Sequence, residues 1–129
     1  MIAVDTNVLV RFLVRDNLKQ AQRAASLIQN SEVWISKTVI LETEWVLRSL
    51  YGFAPAVLAR SLRALAGLET VFLEDELAVA RALDWLESGL DFADALHLAS
   101  IGNAREFATF DRKLAMRARR VAGIEATLL

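Results

Sequence analysis

Residues 2–14 read IAVDTNVLVRFLV, and this segment gives the clearest indication of the fold class. Its first three residues, Ile2–Val4, form a short apolar run that predicts a buried strand, and Thr6–Val14 has the spacing of a helix. Asp5 stands at the junction between the two. A short apolar strand that runs directly into a helix is typical of a parallel sheet covered by helices.

The same alternation of strand and helix continues along the chain. We predict strands at Ile2–Val4, Val33–Ile35, Thr70–Leu73 and Phe107–Thr109, with an edge strand at Ile124–Leu128. We predict helices at Thr6–Val14, Asn17–Gln29, Lys37–Tyr51, Ala54–Leu65, Glu76–Glu87, Asp91–Ile101 and Asp111–Val121. This order predicts an α/β fold, a three-layer α/β/α sandwich with a central, mainly parallel sheet.

The composition limits the class of protein. A chain of 129 residues, 55% hydrophobic and 24% charged, predicts one ordered domain over residues 1–129. The absence of Cys excludes disulfides and thiolate metal sites and fits a cytoplasmic location. The net charge is −1, so nucleic-acid binding requires a local basic patch. We find no targeting segment and no apolar stretch long enough to span a membrane.

Four acidic residues stand near the predicted carboxyl ends of the strands. Asp5, Asp94 and Asp111 sit where a strand or loop runs into a helix, and Glu42 lies inside a helix just after such a junction. Ligands of parallel sheets bind beyond the carboxyl ends of the strands. We therefore expect the four carboxylates to gather at one place and hold a divalent cation, a natural agent for cleaving phosphodiesters.

Helix capping is the competing interpretation for several of these acids. Asp5 and Asp111 each precede a helix and could be N-caps. Asp91 and Asp94 have the spacing of a capping box, with Asp91 the better candidate for the cap. Capping and metal binding are compatible, because a helix N-terminus stabilises a carboxylate anion.

Glu42 cannot be a cap, because it lies about a turn and a half into its helix. A helical wheel predicts that Glu44 is a solvated residue paired with Arg48. Glu42 falls on a half-buried flank beside Trp45, with no basic residue four positions away, so a cation is a plausible partner. The buried face is predicted to carry Val39, Val46 and Leu50.

The helix that contains Asp94 is apolar on nearly every side. Leu98 and Ile101 share the face of Asp94, so we expect this helix to be buried and Asp94 to point inward. His97 is then expected to be a structural residue with its hydrogen bonds satisfied, although its place near Asp94 leaves its role open.

Four segments, in this order, resemble the motifs of PIN-domain nucleases, and most closely those of the VapC-type toxins of prokaryotic toxin–antitoxin pairs. They are Asp5-Thr6-Asn7, residues 35–42 ending in Glu42, residues 91–99 containing Asp94, and Thr109-Phe110-Asp111. The resemblance covers essentially the whole chain. It implies a PIN-like fold and a Mg²⁺- or Mn²⁺-dependent endoribonuclease that is usually a homodimer and is inhibited by a cognate antitoxin protein.

The residues suggest how such a site would work. Four neighbouring carboxylates repel one another, so without metal at least one should have a raised pKa, and a hard cation removes the repulsion. We expect Asp5 and Asp94 to be direct ligands, and Glu42 and Asp111 to bind directly or through water. Further residues could orient a ligand or water, or merely make turn and capping hydrogen bonds: Asn7, Thr109 and Asp91.

RNA binding needs positive charge beside these acids. Candidates are Arg11 and Arg15 on the first helix, and Arg112 and Lys113 at the start of the last. The last helix continues with further basic residues, and a solvated face explains such an arc equally well. The Leu- and Ala-rich helices at 54–65 and 77–86 suit either a dimer or antitoxin surface or a thicker core. The rival function is a non-catalytic PIN-like module that binds RNA or protein.

Overall fold

The computed structural model describes residues 1–129, which divide into two compact units. We call Met1–Glu76 the N-terminal unit and Leu77–Leu129 the C-terminal unit. The prediction of a single domain over residues 1–129 stays a prediction.

Three strands of the N-terminal unit form one parallel sheet in the order β1-β2-β3. Val33 and Ile35 bury the same face of β2, as the two-residue period of a strand requires. Helix α1 packs against both α2 and α3. The elements are β1 (Ile2–Ala3), α1 (Thr6–Val14), α2 (Leu18–Asn30), β2 (Val33–Ile35), α3 (Lys37–Ser49), α4 (Pro55–Ala66) and β3 (Val71–Leu73).

The C-terminal unit contains a parallel pair of strands, β4 and β5, with Phe107 opposite Ala126 and Thr109 opposite Leu128. Helix α7 packs against both strands. The elements are α5 (Glu76–Glu87, which begins at the boundary), α6 (Phe92–Ala99), β4 (Phe107–Thr109), α7 (Arg112–Arg117, continued by a π-helix at Ala118–Ala122) and β5 (Ala126–Leu128).

The predicted α/β/α fold class is confirmed. Helices alternate with short strands, and every strand pair is parallel. The strands divide between a three-stranded and a two-stranded sheet. The longest helices, α2 and α3, have 13 residues each, and none of the helices is suited to crossing a bilayer.

The predicted orientation of α3 is wrong. Its buried residues are Ile40, Thr43, Glu44 and Leu47, whereas Leu50 is 69% exposed. Two polar side chains can be buried because each has a partner. Thr43 Oγ1 donates to the carbonyl of Val39 at 2.7 Å, and the Glu44 carboxylate accepts from Arg48 Nε at 3.0 Å.

Glu44 is therefore not the solvated residue that the sequence predicts. The pair with Arg48 forms as expected, but the Glu44 side chain is only 2% exposed and that of Arg48 is 41% exposed. An (i, i+4) pair in the sequence does not reveal which partner is buried. Here the long arginine side chain reaches a carboxylate inside the protein while its own end stays in contact with water.

Helix α6 is shorter and more exposed than predicted. It buries Phe92, Ala95, Leu96 and Leu98, and it leaves His97 exposed. The expectation of a buried structural histidine is therefore wrong. An eight-residue helix keeps one side at the surface even when almost all its residues are apolar, and His97 lies on that side.

Candidate functional site

Asp5 lies where β1 passes into α1. Its backbone is extended, and its Oδ1 accepts a hydrogen bond from the backbone N–H of Val8 at 3.2 Å, so Asp5 is the N-cap of α1. Its other carboxylate oxygen makes no hydrogen bond within the protein. The capping interpretation is correct, and it leaves Asp5 with an exposed oxygen that is available to a ligand.

The next residue connects Asp5 to Glu42. The Thr6 hydroxyl donates a short hydrogen bond to Glu42 Oε1, which joins the start of α1 to the middle of α3. Thr6 is 6% exposed, so its hydroxyl is held in place by packing, while Glu42 remains exposed. Sequence reasoning missed Thr6, because the partner of Glu42 comes from a different helix.

Asp94, in the C-terminal unit, is affected by the charges of other acidic side chains. Asp91 is the N-cap of α6, and its Oδ2 accepts from the backbone N–H of Asp94 at 3.2 Å. Burial raises the pKa of the half-buried Asp94 carboxyl, the negative charge of Asp91 raises it further, His97 opposes the rise, and Asp111 adds to it. The pKa of Asp94 is thus raised as predicted for one of the acids, but burial is the largest cause, and the charges that raise it are those of Asp91 and Asp111.

Asp111 is held by two local hydrogen bonds. Its Oδ1 accepts from the backbone N–H of Leu114 at 3.1 Å, so Asp111 is the N-cap of α7. Its own backbone N–H donates to Thr109 Oγ1 at 3.0 Å. Thr109 therefore makes the turn hydrogen bond that was its alternative interpretation, and this bond fixes the backbone from which the Asp111 carboxylate extends.

A comparison with protein-family models matches residues 2–120 to the PIN domain. The chain belongs to the PIN domain family. The match begins in β1 and includes all four predicted acids. No curated protein matches the sequence closely enough to serve as a relative. PIN domains are generally nucleases, which hydrolyse phosphodiesters, and they typically use divalent metal ions.

The acids of this PIN domain fit a hard divalent cation by their chemistry. Thr6, which follows Asp5 in the chain, is hydrogen-bonded to Glu42, and the charges of Asp91 and Asp111 act on Asp94. No three acidic or histidine side chains form a ready-made metal site. Mg²⁺ commonly uses one or two carboxylates and completes its octahedron with water and substrate oxygens, so carboxylates with unused oxygens are suitable ligands.

The predicted RNA-binding residues of the PIN domain differ in whether they already have a partner within the protein. Arg11 is already engaged, with Nε donating to Gln20 Oε1 at 2.7 Å and Nη1 to Asp16 Oδ1 at 3.0 Å. Arg15 is exposed at the end of α1, and Arg112 and Lys113 are exposed at the start of α7 without an ion pair. The later basic residues of the last helix are partly engaged: Arg117 donates to a backbone carbonyl, and Arg119 pairs with Glu125.

Two further features of the PIN domain were not predicted. Phe110, between Thr109 and Asp111, is 81% exposed, the most of any large apolar side chain in the chain. Its place in a turn between two polar residues is the only sequence signal for this exposure. The second feature is a cavity of ≈ 790 Å³ between α1 and α2 that has Asp5 in its lining. Asn7 also lines this cavity and is exposed, and its predicted role in orienting a ligand stays a prediction.

Proposed function

We propose that this PIN domain is a Mg²⁺- or Mn²⁺-dependent endoribonuclease. The observation that carries the proposal is the PIN-domain match over residues 2–120, and it is supported by Asp94, a half-buried carboxyl whose pKa is raised by burial and by the charges of Asp91 and Asp111. A carboxyl in such surroundings is costly to ionise unless a cation accompanies it. Perturbed carboxyls of this kind are concentrated at functional sites.

Each acid has a distinct part in the proposal. Asp5 and Asp94 are the principal metal ligands, and Glu42 and Asp111 bind directly or through water. When bound, the metal would lower the pKa of a water molecule and neutralise charge on the scissile phosphate. Thr6 holds the Glu42 carboxylate by its hydrogen bond.

The remaining polar residues would support these ligands. Thr109 fixes the backbone of Asp111, and Asp91 orders the first turn of the helix that carries Asp94. Asn7 is exposed two residues after Asp5 and is available to orient a ligand or a water molecule. Groups of this kind keep metal ligands in the correct orientation and adjust their basicity.

The surroundings of Asp111 support RNA as the substrate. Phe110 presents an exposed aromatic ring, and Arg112 and Lys113 follow with unpaired positive charges. Sites for single-stranded nucleic acid combine cations that contact the backbone with aromatic rings on which bases stack. Arg15 adds a further exposed cation near the end of α1.

We also propose that the protein is the toxin of a type II toxin–antitoxin pair in the cytoplasm, active as a homodimer and inhibited by a cognate antitoxin. The proposal rests on the resemblance of its ordered motifs to those of VapC-type toxins. A short neighbouring reading frame that encodes a DNA-binding domain with a tail would support it. Co-expression of that product should abolish RNA cleavage, and cleavage that persists would contradict the toxin role.

A non-catalytic RNA- or protein-binding module is the second candidate. It is favoured by the capping roles of Asp5, Asp91 and Asp111, because each of these acids has a structural use that requires no turnover. Glu42 and Asp94 are not caps, so the nuclease and the binding module differ most in the roles that they require of these two residues.

Cleavage assays on purified protein distinguish the two candidates. With Mg²⁺ or Mn²⁺, the wild-type protein should cut RNA, and Asp5→Ala and Asp94→Ala should abolish cleavage while circular dichroism and thermal melting show folded protein. Sequencing of the RNA ends would then identify the cleavage site. If the wild-type protein cuts RNA no more than the Asp5→Ala protein does, the protein is better described as a non-catalytic binding module.

A further inference from the structure

The cavity between α1 and α2 has the size and lining of a ligand site. We call it the α1–α2 groove, and its volume is ≈ 790 Å³. Sites for small organic ligands commonly measure about 300–1,000 Å³. The groove belongs entirely to the N-terminal unit, and one of its lining residues is Asp5, which we propose as a metal ligand.

Polar groups with unused hydrogen-bonding capacity line this groove. The side chains of Asn7 and Arg23 are exposed and make no hydrogen bond within the protein. The Gln20 oxygen accepts from Arg11, which leaves the Gln20 amide NH₂ free. Asn30 uses its NH₂ on Ser26 and keeps its amide oxygen free. The groove therefore presents amide donors and acceptors together with one free guanidinium.

Arg23 gives the groove a positive charge that can contact an anionic ligand. Arg11 is compensated by Asp16 at 3.0 Å, so Arg23 is the free cation of the lining. Asp5 is the only acid in the lining, and its charge would be offset by the metal. Val8, Ala24 and Leu27 add apolar surface on which a flat ring or a ribose can pack.

We propose that the α1–α2 groove binds a nucleotide of single-stranded RNA next to the scissile phosphate. Arg23 contacts a backbone phosphate, and the side-chain amides of Asn7, Gln20 and Asn30 contact the edges of a base. Side chains reach base edges readily only where the strand is unpaired, so the ligand is single-stranded. The position next to the scissile phosphate rests on the proposed nuclease function, whereas the binding itself does not.

RNA binding by a protein that cannot cleave tests the proposal. The Asp94→Asn protein carries its change outside the groove and should leave RNA intact. Fluorescence anisotropy with a labelled single-stranded RNA of about 10 nucleotides would give its affinity at several salt concentrations. In this background, Arg23→Ala should weaken binding about 5- to 10-fold and reduce the salt slope by about one, as loss of one phosphate contact requires.

Lys19 provides the matched control. It is exposed, carries the same charge and lies on the same helix as Arg23, but it does not line the groove. Lys19→Ala should change the affinity less than about 2-fold, since it removes charge without a specific contact. Equal effects of the two substitutions, or no effect of Arg23→Ala, would overturn the proposal. An excess of double-stranded RNA that competes as well as the single strand would overturn it too.

Cleavage kinetics separate this proposal from the proposed function. In the active protein, Arg23→Ala should raise KM with kcat little changed, and Asn30→Ala should relax the base preference at the cleavage site. If the wild-type protein cuts RNA but Arg23→Ala and Lys19→Ala change the RNA affinity equally, the groove proposal fails and the nuclease proposal stands. If no protein cuts RNA but binding still depends on Arg23, the nuclease proposal fails and the groove stands as an RNA site.

Discussion

The two units accommodate their acidic side chains in different ways. In the N-terminal unit, Glu42 accepts from the Thr6 hydroxyl and the buried Glu44 accepts from Arg48. In the C-terminal unit, Asp94 has like-charged neighbours, and its pKa is raised. Burial and like-charged neighbours disfavour the ionised form of Asp94, and a bound cation would relieve both effects. Asp94, whose pKa is raised by burial and by like charges, is therefore a stronger candidate for direct metal binding than the paired Glu44.

We expect the greatest loss of activity from removing one acid in each unit, and these variants test whether both units contribute to one reaction. Asp5→Asn and Asp94→Asn should each lower the rate of RNA cleavage by about 10³-fold or more, because each removes a carboxylate that we propose as a metal ligand. Asparagine also caps helices well, so Asp5→Asn preserves the start of α1. Initial rates with Mg²⁺ measure the effect.

The double variant completes this experiment. Residues that act together in one step give non-additive losses of rate. The double variant Asp5→Asn/Asp94→Asn should therefore cleave RNA only slightly more slowly than either single variant. If the double variant lost the product of the two single factors, the two units would be contributing independently, and the assignment of both residues to the same step would be wrong.

Removing the partner of Glu44 should have the next largest effect. Arg48→Ala leaves a buried carboxylate without its counter-charge, and it should lower the free energy of unfolding by about 2–3 kcal/mol. Urea denaturation measures this change. Arg60→Ala, at an exposed position on α4, is the control. Adding Glu44→Gln to Arg48→Ala should recover part of the loss, and a double variant as unstable as Arg48→Ala would contradict the proposed cause.

Substitutions of two threonines test the hydrogen bonds that support the acidic side chains, one in each unit. Thr6→Val removes the donor to Glu42 and should lower the cleavage rate about 10-fold or more, whereas Thr6→Ser should retain activity. Thr109→Val removes an acceptor from a backbone N–H at an exposed turn, where water can replace it, so cleavage should fall only a few-fold. Rates at saturating RNA measure both, and a larger loss for Thr109→Val would reverse the comparison.

The exposed ring of Phe110 should affect RNA affinity more than stability. Phe110→Ala should weaken binding of single-stranded RNA about 5- to 10-fold, since stacking on one base contributes about 1–3 kcal/mol. Phe110→Trp should retain affinity. Met116→Ala is the matched control at another exposed apolar position of the C-terminal unit. Equal losses for Phe110→Ala and Met116→Ala in an anisotropy assay would show that the ring makes no specific contact.

The smallest expected effect is the pH dependence that Asp94 gives to stability. Its pKa in the folded protein is raised above the value of about 3.9 of an unfolded chain. The folded state therefore binds the proton more tightly, and the resulting stabilisation is present below the unfolded pKa and is lost as the pH rises through the folded pKa.

Denaturation in EDTA with wild type and Asp94→Asn would measure this effect. The stability of wild type relative to Asp94→Asn should fall as the pH rises from about 4, and it should become constant above the folded pKa of Asp94. Mg²⁺ at neutral pH should then stabilise the wild type more than the variant. Glu69→Gln, which changes an exposed acid, is the control. A difference between wild type and Asp94→Asn that did not vary with pH would contradict the cause assigned to the raised pKa.

The local features of the fold could be predicted from the sequence. The bounds of α1, β2, α5 and β4 agree with prediction, and Asp5, Asp91 and Asp111 cap the helices expected of them. These features depend on residues within a few positions of one another. Hydrophobic period, capping chemistry and the shortness of parallel strands are all visible in such a window.

Features that depend on contacts between distant segments were not predictable. The buried face of α3 was misassigned because hydropathy favoured Val46 and Leu50 over Thr43 and Glu44, whose polar atoms are paired in the folded protein. The hydrogen bond between Thr6 and Glu42 and the α1–α2 groove arise only when helices pack together. Tertiary packing overrides a single-helix wheel wherever a buried polar group finds a partner.

The π-helix at Ala118–Ala122 has a consequence for variation in chain length. The carbonyl of Ala118 accepts from the backbone N–H groups of Gly123 and Ile124, and Gly123 adopts a left-handed conformation that ends the helix. A π-turn is an α-turn that has accommodated one additional residue. We therefore expect that deleting a single residue there would convert the turn to the α form and keep Ala126 opposite Phe107. Elsewhere before β5, a one-residue deletion would exchange the two faces of that strand.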